Sequence, residues 1–155
     1  MIDAYHELID ELSGTPAHLQ AIPSKAANAV PRSNEVWGVP EIIAHMVDIE
    51  RVYRGRIMEV LSQDSAYLKA ADPDALAREH DYASSDMAAS VAEFGQERGE
   101  TLSLLFNLAL KDWEKTGIHY KHGEVSVEDL IERLIDHDRG HLEQIETVLA
   151  GATAQ

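Results

Sequence analysis

The feature that most restricts the fold of this chain is a helical repeat of apolar residues that returns in four separate segments. In each segment apolar residues recur every three or four positions, which places them on one face of an α-helix. The segments span residues 2–22, 40–63, 85–108 and 126–151. Amphipathic helices bury their apolar faces by packing against one another, so the sequence predicts an all-α four-helix bundle.

Residues near the ends of these segments support the predicted boundaries. Pro40 suits the first turn of the second helix, because its missing N–H group would have no partner there. Ser126 followed by Asp129 resembles a capping box before the fourth helix, and Gly151 suits its C-terminal end. Pro16 lies inside the first segment, where we expect it to kink or restart the helix.

The connections predict how the helices are oriented. Residues 63–84, between the second and third helices, show little periodicity beyond a short helical turn opened by Asp72-Pro73. A connection of this length can cross the bundle and leave those two helices parallel, whereas the shorter links make the other consecutive helices antiparallel. No alternating pattern is long enough to predict a sheet. We expect residues 1–155 to form one domain.

The charge balance narrows the possible partners. Thirteen basic against 28 acidic side chains give a net charge of −15, with histidine counted as neutral. This charge repels nucleic-acid phosphates and anionic lipid headgroups, so nucleic acid and membranes are poor candidate partners. No apolar run approaches the ~20 residues that span a bilayer, and the N-terminus lacks a signal-peptide pattern, so we expect a cytoplasmic protein.

Three histidines lie on or beside the predicted apolar stripes. His137 and His141 are one turn apart in the fourth helix, and His45 lies in the second. If these two helices are antiparallel, His45 is about 8 Å from the start of its helix and His141 about 14 Å from the end of its own. The three imidazoles then meet near one end of the bundle.

Such a set of imidazoles is typical of a metal site. Histidines at i and i+4 can bind one ion, and a third from a facing helix leaves other coordination positions open to water or substrate. The pair alone is weak evidence, because such pairs also occur on surfaces and in satisfied cores. The chain has no cysteine, so a tightly held metal would need imidazole and carboxylate ligands.

Other polar and aromatic residues have less specific interpretations. Four carboxylates, those of Asp48, Glu50, Asp136 and Asp138, are close enough in sequence to orient a metal-binding histidine. A helix-surface or inter-helix salt-bridge role suits Asp138 at least as well.

The sequence also predicts the environment of two histidines before the fourth helix and of the two tryptophans. His119 and His122 occupy a polar segment in which we expect them to be solvated. Trp37 is expected to pack against the second helix, and Trp113 to close one end of the bundle.

Two segments resemble the DinB/YfiT-like superfamily: WGVPEIIAHMVDIE (37–50) and HDRGHLEQI (137–145). The resemblance extends over essentially the whole chain. It implies a four-helix bundle with up-down-down-up order, and a divalent metal bound by His45, His137 and His141. Members of the family include thiol-dependent S-transferases and isomerases that use small thiols such as mycothiol or bacillithiol.

Three functional hypotheses follow. The first is a metal-dependent enzyme, either a transferase that uses a low-molecular-weight thiol or a hydrolase, acting on a small-molecule substrate. The second is a non-catalytic protein that binds a metal or a small ligand, and the third is a helical interaction module with structural histidines. The ion could be Zn, Ni, Mn or Fe, because affinity order alone does not identify it. By analogy with the family, a homodimer is possible.

Overall fold

The structure of the protein, a computed structural model, describes residues 2–154 and the side chains of residues 5–151. Four long helices form the bundle: α1 (Ile2–Gln20), α2 (Val39–Ser62), α4 (Met87–Phe106) and α6 (Val127–Ala154). Shorter elements lie in the connections: α3 (Pro73–Glu79), α5 (Leu110–Trp113), β1 (Tyr67–Leu68), β2 (Thr116–His119) and β3 (Gly123–Ser126). The predicted four-helix bundle is confirmed.

Helix packing follows the predicted up-down-down-up order. Both α1 and α2 pack against α4 and α6. The salt bridges from Arg51 to Glu93 and from Arg54 to Glu97 join residues that advance together along α2 and α4, so these two helices are parallel. The long connection that contains β1 and α3 therefore crosses the bundle, as its length predicts.

The prediction that the chain contains no sheet is wrong. β1 pairs in parallel with β2, and β2 pairs with β3 in an antiparallel hairpin. Strands of two to four residues are too short to show alternation in the sequence. Two glycines make the sheet possible: a Cβ on Gly117 would lie 2.9 Å from the Ala66 carbonyl oxygen, and Gly123 has a φ of +72°.

Two predicted helix features differ from the structure. Of the kink or restart expected at Pro16, the restart does not occur, because α1 runs through Pro16 as one helix. The missing N–H of Pro16 leaves the Leu12 carbonyl without its helical donor, and Arg98 Nη1 donates to that oxygen instead at 2.7 Å. α6 continues past Gly151 to Ala154, because the residues that follow are compatible with helix and Gly151 does not adopt positive φ.

Other predicted features agree better with the sequence. The Asp129 N–H donates to Ser126 Oγ at 3.0 Å, and the Ser126 N–H donates to Asp129 Oδ2 at 2.9 Å, which confirms the capping box. Asp72 accepts a hydrogen bond from the Asp74 N–H at the start of α3. Trp113 is buried at the end of the bundle, where its ring stacks on Tyr5 at 4.4 Å between centroids.

A layer of polar side chains separates two apolar clusters of the core. On α1, Leu12 and Leu19 belong to different clusters, and on α4 the same is true of Leu105 and Phe94. Buried or half-buried polar residues lie at the junction of the two clusters on all four helices. We call this set the polar layer: Thr15, His45, Glu50, Arg98, His137, Asp138 and His141.

Candidate metal centre

The antiparallel helices α2 and α6 bring the three predicted histidines together. His45, His137 and His141 each offer a ring nitrogen that lies within 4.8 Å of those of the other two. The ring centroids of His45 and His141 are 4.7 Å apart, and those of His45 and His137 are 6.3 Å apart. His45 is buried, whereas the other two rings are half-buried. The cluster is therefore open on the α6 side.

The nitrogen atoms of the α6 pair have the spacing of ligands to one ion. His137 Nδ1 lies 3.3 Å from His141 Nε2. Two nitrogens at about 2.1 Å from a common ion would subtend an angle of about 105° at this separation, which is near tetrahedral. His141 Nδ1 lies 3.0 Å from Gln144 Oε1. Because that amide oxygen can only accept, His141 carries its hydrogen on Nδ1, and Nε2 keeps a free lone pair.

His45 has a buried polar atom that the protein does not satisfy. Its Nδ1 is buried and has no hydrogen-bond partner in the described part of the chain. Burial, together with the two neighbouring histidines, lowers the pKa of His45 to about 3. Burial also lowers the pKa of His137. Neutral imidazole is the form that binds metals, and a buried nitrogen without a partner is costly unless a ligand satisfies it. The donor set fits a divalent ion.

An open cavity of about 810 Å³ lies beside the histidines. Its wall near the cluster includes Trp37, Tyr53 and Gln144, and its far wall is formed by the β2–β3 hairpin together with Arg56 and Arg133. A cavity of this size is typical of sites for small molecules. His137 and His141 therefore line a space that is large enough for a substrate.

Comparisons with known proteins agree with this architecture. The sequence model of the DinB superfamily matches residues 3–145. The chain belongs to the DinB superfamily. A comparison with curated protein sequences finds no significant match.

One solved structure also shows the fold of this DinB-superfamily chain. It is that of YfiT from Bacillus subtilis, described as a probable metal-dependent hydrolase with an unusual four-helix bundle topology. The TM-score is 0.83 at 18% sequence identity, and the match covers 96% of this chain and 87% of YfiT. Within residues 2–154, no helix has the length and apolarity needed to cross a membrane.

Trp37 is a site residue in this DinB-superfamily chain that sequence reasoning placed only as a packing residue. It does pack against α2, as predicted, but its ring covers His45 at 4.8 Å between centroids and also lines the cavity. Its Nε1 donates to the Asn34 carbonyl at 2.9 Å, and its other side contacts the edge of Tyr82. The only sequence signal for this role was its position eight residues before His45.

Gln144 is a second residue that the sequence reasoning missed. None of the four candidate carboxylates is hydrogen-bonded to a histidine of the cluster in the part of the chain that the structure describes, whereas Gln144 bonds His141. Its position three residues after His141 on one helix was the available signal. Asp136 only lines the cavity.

Two of the four carboxylates are held by one buried arginine. Arg98 makes five hydrogen bonds, one for each N–H of its guanidinium: two to Glu50, two to Asp138 and one to the Leu12 carbonyl. Thr15 Oγ1 adds a hydrogen bond to Asp138 at 2.7 Å. Of the roles left open for Asp138, the structure shows the inter-helix salt bridge, and Glu50 pairs with the same arginine rather than with a histidine.

The remaining carboxylate, Asp48, lies on another face of α2. Its Oδ2 accepts hydrogen bonds from the Tyr82 hydroxyl at 2.5 Å and from His80 Nδ1 at 2.8 Å. Tyr82 in turn contacts Trp37. Asp48 therefore supports the residue that covers His45 rather than His45 itself.

The prediction that His119 is solvated is wrong, although His122 is exposed as expected. His119 lies on β2 with 6% of its surface exposed and lines the cavity. The short sheet turns its ring inward, where Nδ1 accepts hydrogen bonds from the N–H groups of Lys121 and His122 at 3.1 and 3.3 Å. A hairpin that the sequence did not reveal thus adds a histidine to the wall opposite the cluster.

Proposed function

We propose that the protein is a metal-dependent enzyme of the hydrolase type that acts on a small molecule. The observation that carries this proposal is a cluster of three close imidazoles, two with lowered pKa values, on the wall of a cavity of about 810 Å³. YfiT, which shares the fold, is described as a probable metal-dependent hydrolase.

In this proposal His45, His137 and His141 hold one divalent ion. When bound, such an ion acts as a Lewis acid, which lowers the pKa of a water or thiol at its open position and polarises a carbonyl or phosphoryl group. Gln144 fixes the tautomer of His141, so that Nε2 is the ligand atom. Trp37 packs against His45 and limits the access of water to its ring.

A thiol-dependent transferase is the second candidate for the same site. The cavity volume of about 810 Å³ favours it, because this space is large enough for a small thiol and an acceptor together. If a low-molecular-weight thiol is the cofactor, adding it to cobalt-substituted protein will change the visible absorption of the ion. A spectrum that no thiol perturbs would count against the transferase and leave the hydrolase.

Metal analysis tests the ion-binding step directly. We expect the purified full-length protein to contain about one equivalent of Zn, Ni, Mn or Fe, and His141→Ala to lose it, because two imidazoles hold an ion much less tightly than three. His18→Ala is the matched control, since His18 is exposed and outside the cluster. Wild-type protein without metal, which also fails to bind added Zn²⁺, would favour an interaction module with structural histidines.

Activity assays separate an enzyme from a binding protein. Hydrolysis of an ester, amide or phosphate should rise with metal occupancy in the wild type and be absent in His141→Ala. A protein that holds the ion and is inactive on a broad panel of such compounds would instead be a non-catalytic metal-binding protein. The possible homodimer stays a prediction, which sedimentation velocity can test.

A further inference from the structure

The cavity beside the histidines has a charge opposite to that of the protein. The whole chain has a net charge of −15. Among the described residues, however, three cationic side chains line the cavity, those of Arg56, Lys121 and Arg133, against one carboxylate, that of Asp136. In a strongly acidic protein, cationic groups gathered in one concave wall create a local positive potential. Such a wall attracts anions that the rest of the surface repels.

Arg133 lacks the partners that other arginines of the chain have. Its Nε is buried and makes no hydrogen bond, and no carboxylate lies within salt-bridge distance of its guanidinium among the described residues. Arg139, on the same helix, pairs with Glu11 at 2.8 Å. A buried N–H of a charged group without a partner is costly, so a bound acceptor would stabilise it.

Arg56 and Lys121 also have no carboxylate partner in the described chain. Arg56 lies over the ring of Tyr53 at 5.4 Å, and its Nη2 donates to the Lys69 carbonyl at 2.9 Å. These contacts hold the guanidinium beside the cavity and do not neutralise it. Its charge therefore remains available to a ligand.

His119 adds a neutral donor to this wall. Because its Nδ1 accepts hydrogen bonds from two backbone N–H groups, the neutral ring carries its hydrogen on Nε2. Burial, reinforced by Arg56 and other nearby cationic groups, lowers the pKa of His119, so the ring stays neutral at pH 7. Arginine, lysine and this tautomer of histidine can all donate hydrogen bonds, as an oxyanion requires.

The distance from this wall to the candidate metal suits a small molecule. Arg133 precedes His137 by one helical turn, so the two residues are about 6 Å apart along the helix axis. A substrate could place an anionic group on the wall and a second group near the histidines. The aromatic rings of Tyr53 and Tyr120 line the space as well.

We propose that Arg56, His119, Lys121 and Arg133 form a subsite for an oxyanion, the carboxylate or phosphate group of the substrate. This inference rests on the proposed function in taking the neighbouring cluster as the reacting centre, so the enzyme would act on anionic small molecules. Binding of the anion to the wall does not itself need the metal, and the two proposals can therefore fail separately.

Calorimetric titration of the full-length protein tests the subsite with benzoate, phenyl phosphate and neutral benzamide. Each is measured on zinc-loaded protein and on chelator-treated protein, which excludes direct binding of the anion to zinc. We expect both anions, or one of them, to bind at least roughly ten-fold more tightly than benzamide in both forms. The tighter of the two anions identifies carboxylate or phosphate as the group recognised.

Variants then locate the binding. Arg133→Gln should weaken anion binding by roughly ten-fold, Arg133→Lys should restore part of it, and Lys121→Gln should weaken it by a smaller factor. Arg139→Gln is the matched control, with the same change of charge on the same helix outside the cavity. Circular dichroism checks that each variant folds, and exposed Lys121 provides a substitution with little effect on folding.

Three results would overturn the subsite: anions binding no more tightly than benzamide, binding that chelation abolishes, or equal losses in Arg133→Gln and Arg139→Gln. If the protein binds no metal but the Arg133→Gln loss is observed, the subsite stands and the metal-dependent function fails. If the protein binds metal but no anion, the subsite fails and the metal-dependent function stands.

Discussion

The polar layer of the bundle contains two groups of side chains that differ in how their hydrogen-bonding atoms are satisfied. Around Arg98, every guanidinium N–H has a partner, and the carboxylates of Glu50 and Asp138 are held on both oxygens. In the histidine cluster, the buried Nδ1 of His45 has no partner among the described residues. Both groups belong to the polar layer, and both take residues from α2 and α6.

This difference distinguishes buried polar side chains that stabilise the fold from those that bind a ligand. A buried ion pair whose groups are all bonded needs nothing from outside, and removing one member leaves uncompensated charge. The histidine cluster, in contrast, contains a buried nitrogen for which the described residues supply no hydrogen-bond partner, so a ligand from outside would satisfy it. We therefore expect substitutions in the first group to change stability, and those in the second to change ligand binding.

The largest effect is expected for Arg98→Met. The substitution leaves Glu50 and Asp138 buried without their cation, so the free energy of unfolding should fall by about 3–5 kcal/mol at pH 7. Urea denaturation at 25 °C measures it. The matched control is Arg139→Met, which breaks an exposed pair with Glu11 and should cost less than about 1 kcal/mol. Equal losses in the two variants would remove the distinction between the buried and exposed pairs.

Metal binding gives the next largest effect. With free Zn²⁺ at 100 times its dissociation constant, the unfolding free energy of the wild type should rise by about 2.7 kcal/mol. His141→Ala should show almost no rise, and without metal its stability should differ from that of the wild type by less than about 1 kcal/mol, because the ring is only half-buried. A large loss of stability in metal-free His141→Ala would show that the histidines are structural.

Thr15→Val, in the group around Arg98, should lower the free energy of unfolding by a smaller amount. It removes one donor to the Asp138 carboxylate and keeps the shape of the side chain, while Arg98 still holds that carboxylate. We expect a loss of about 1–2 kcal/mol in urea denaturation. Ser13→Ala is the control, since its hydroxyl is exposed and bonds only the Asp10 carbonyl. If Thr15→Val leaves the stability unchanged, Arg98 alone satisfies the Asp138 carboxylate.

The two groups also differ in how far the sequence could predict them. The histidine cluster follows from local rules: spacing of four on one helix, one residue on a facing stripe, and helix orientation from loop lengths. Arg98 gave no such signal, because it stands among Gln96, Glu97 and Gly99 in a stretch that reads as solvent-exposed. Its burial depends on oxygens from α1, α2 and α6 together, and no local pattern encodes that.

The hairpin and the position of His119 were also not predicted, because they too depend on contacts between residues distant in sequence. Residues 116–126 form a hairpin because Gly117 packs against the β1 region, which is distant in sequence. The inward position of His119 follows from that sheet, so the cationic wall of the cavity could not be anticipated from the polar sequence around it. The sequence was sufficient to predict the bundle, the helix order and the histidine cluster, but not the part of the cavity wall that the hairpin forms.

Substitution of His80 should have the smallest effect on the free energy of unfolding, and the effect should depend on pH. The hydrogen bond and charge of Asp48 raise the pKa of His80 above its usual value, with Glu79 acting in the same direction and burial and Arg51 against it. Because the folded-state pKa is higher than the unfolded one, His80 stabilises the fold below about pH 6.5, and this contribution is lost as the pH rises through the folded value.

The stability difference between the wild type and His80→Gln should therefore be largest below about pH 6.5 and disappear at alkaline pH. Because half of the His80 side chain is exposed, we expect less than about 1 kcal/mol. An NMR titration of the ring measures the pKa, and urea denaturation across pH measures the difference. A difference that grows as the pH rises would have the wrong sign and would contradict the raised pKa. No difference at any pH would mean that the Tyr82 hydroxyl alone satisfies Asp48.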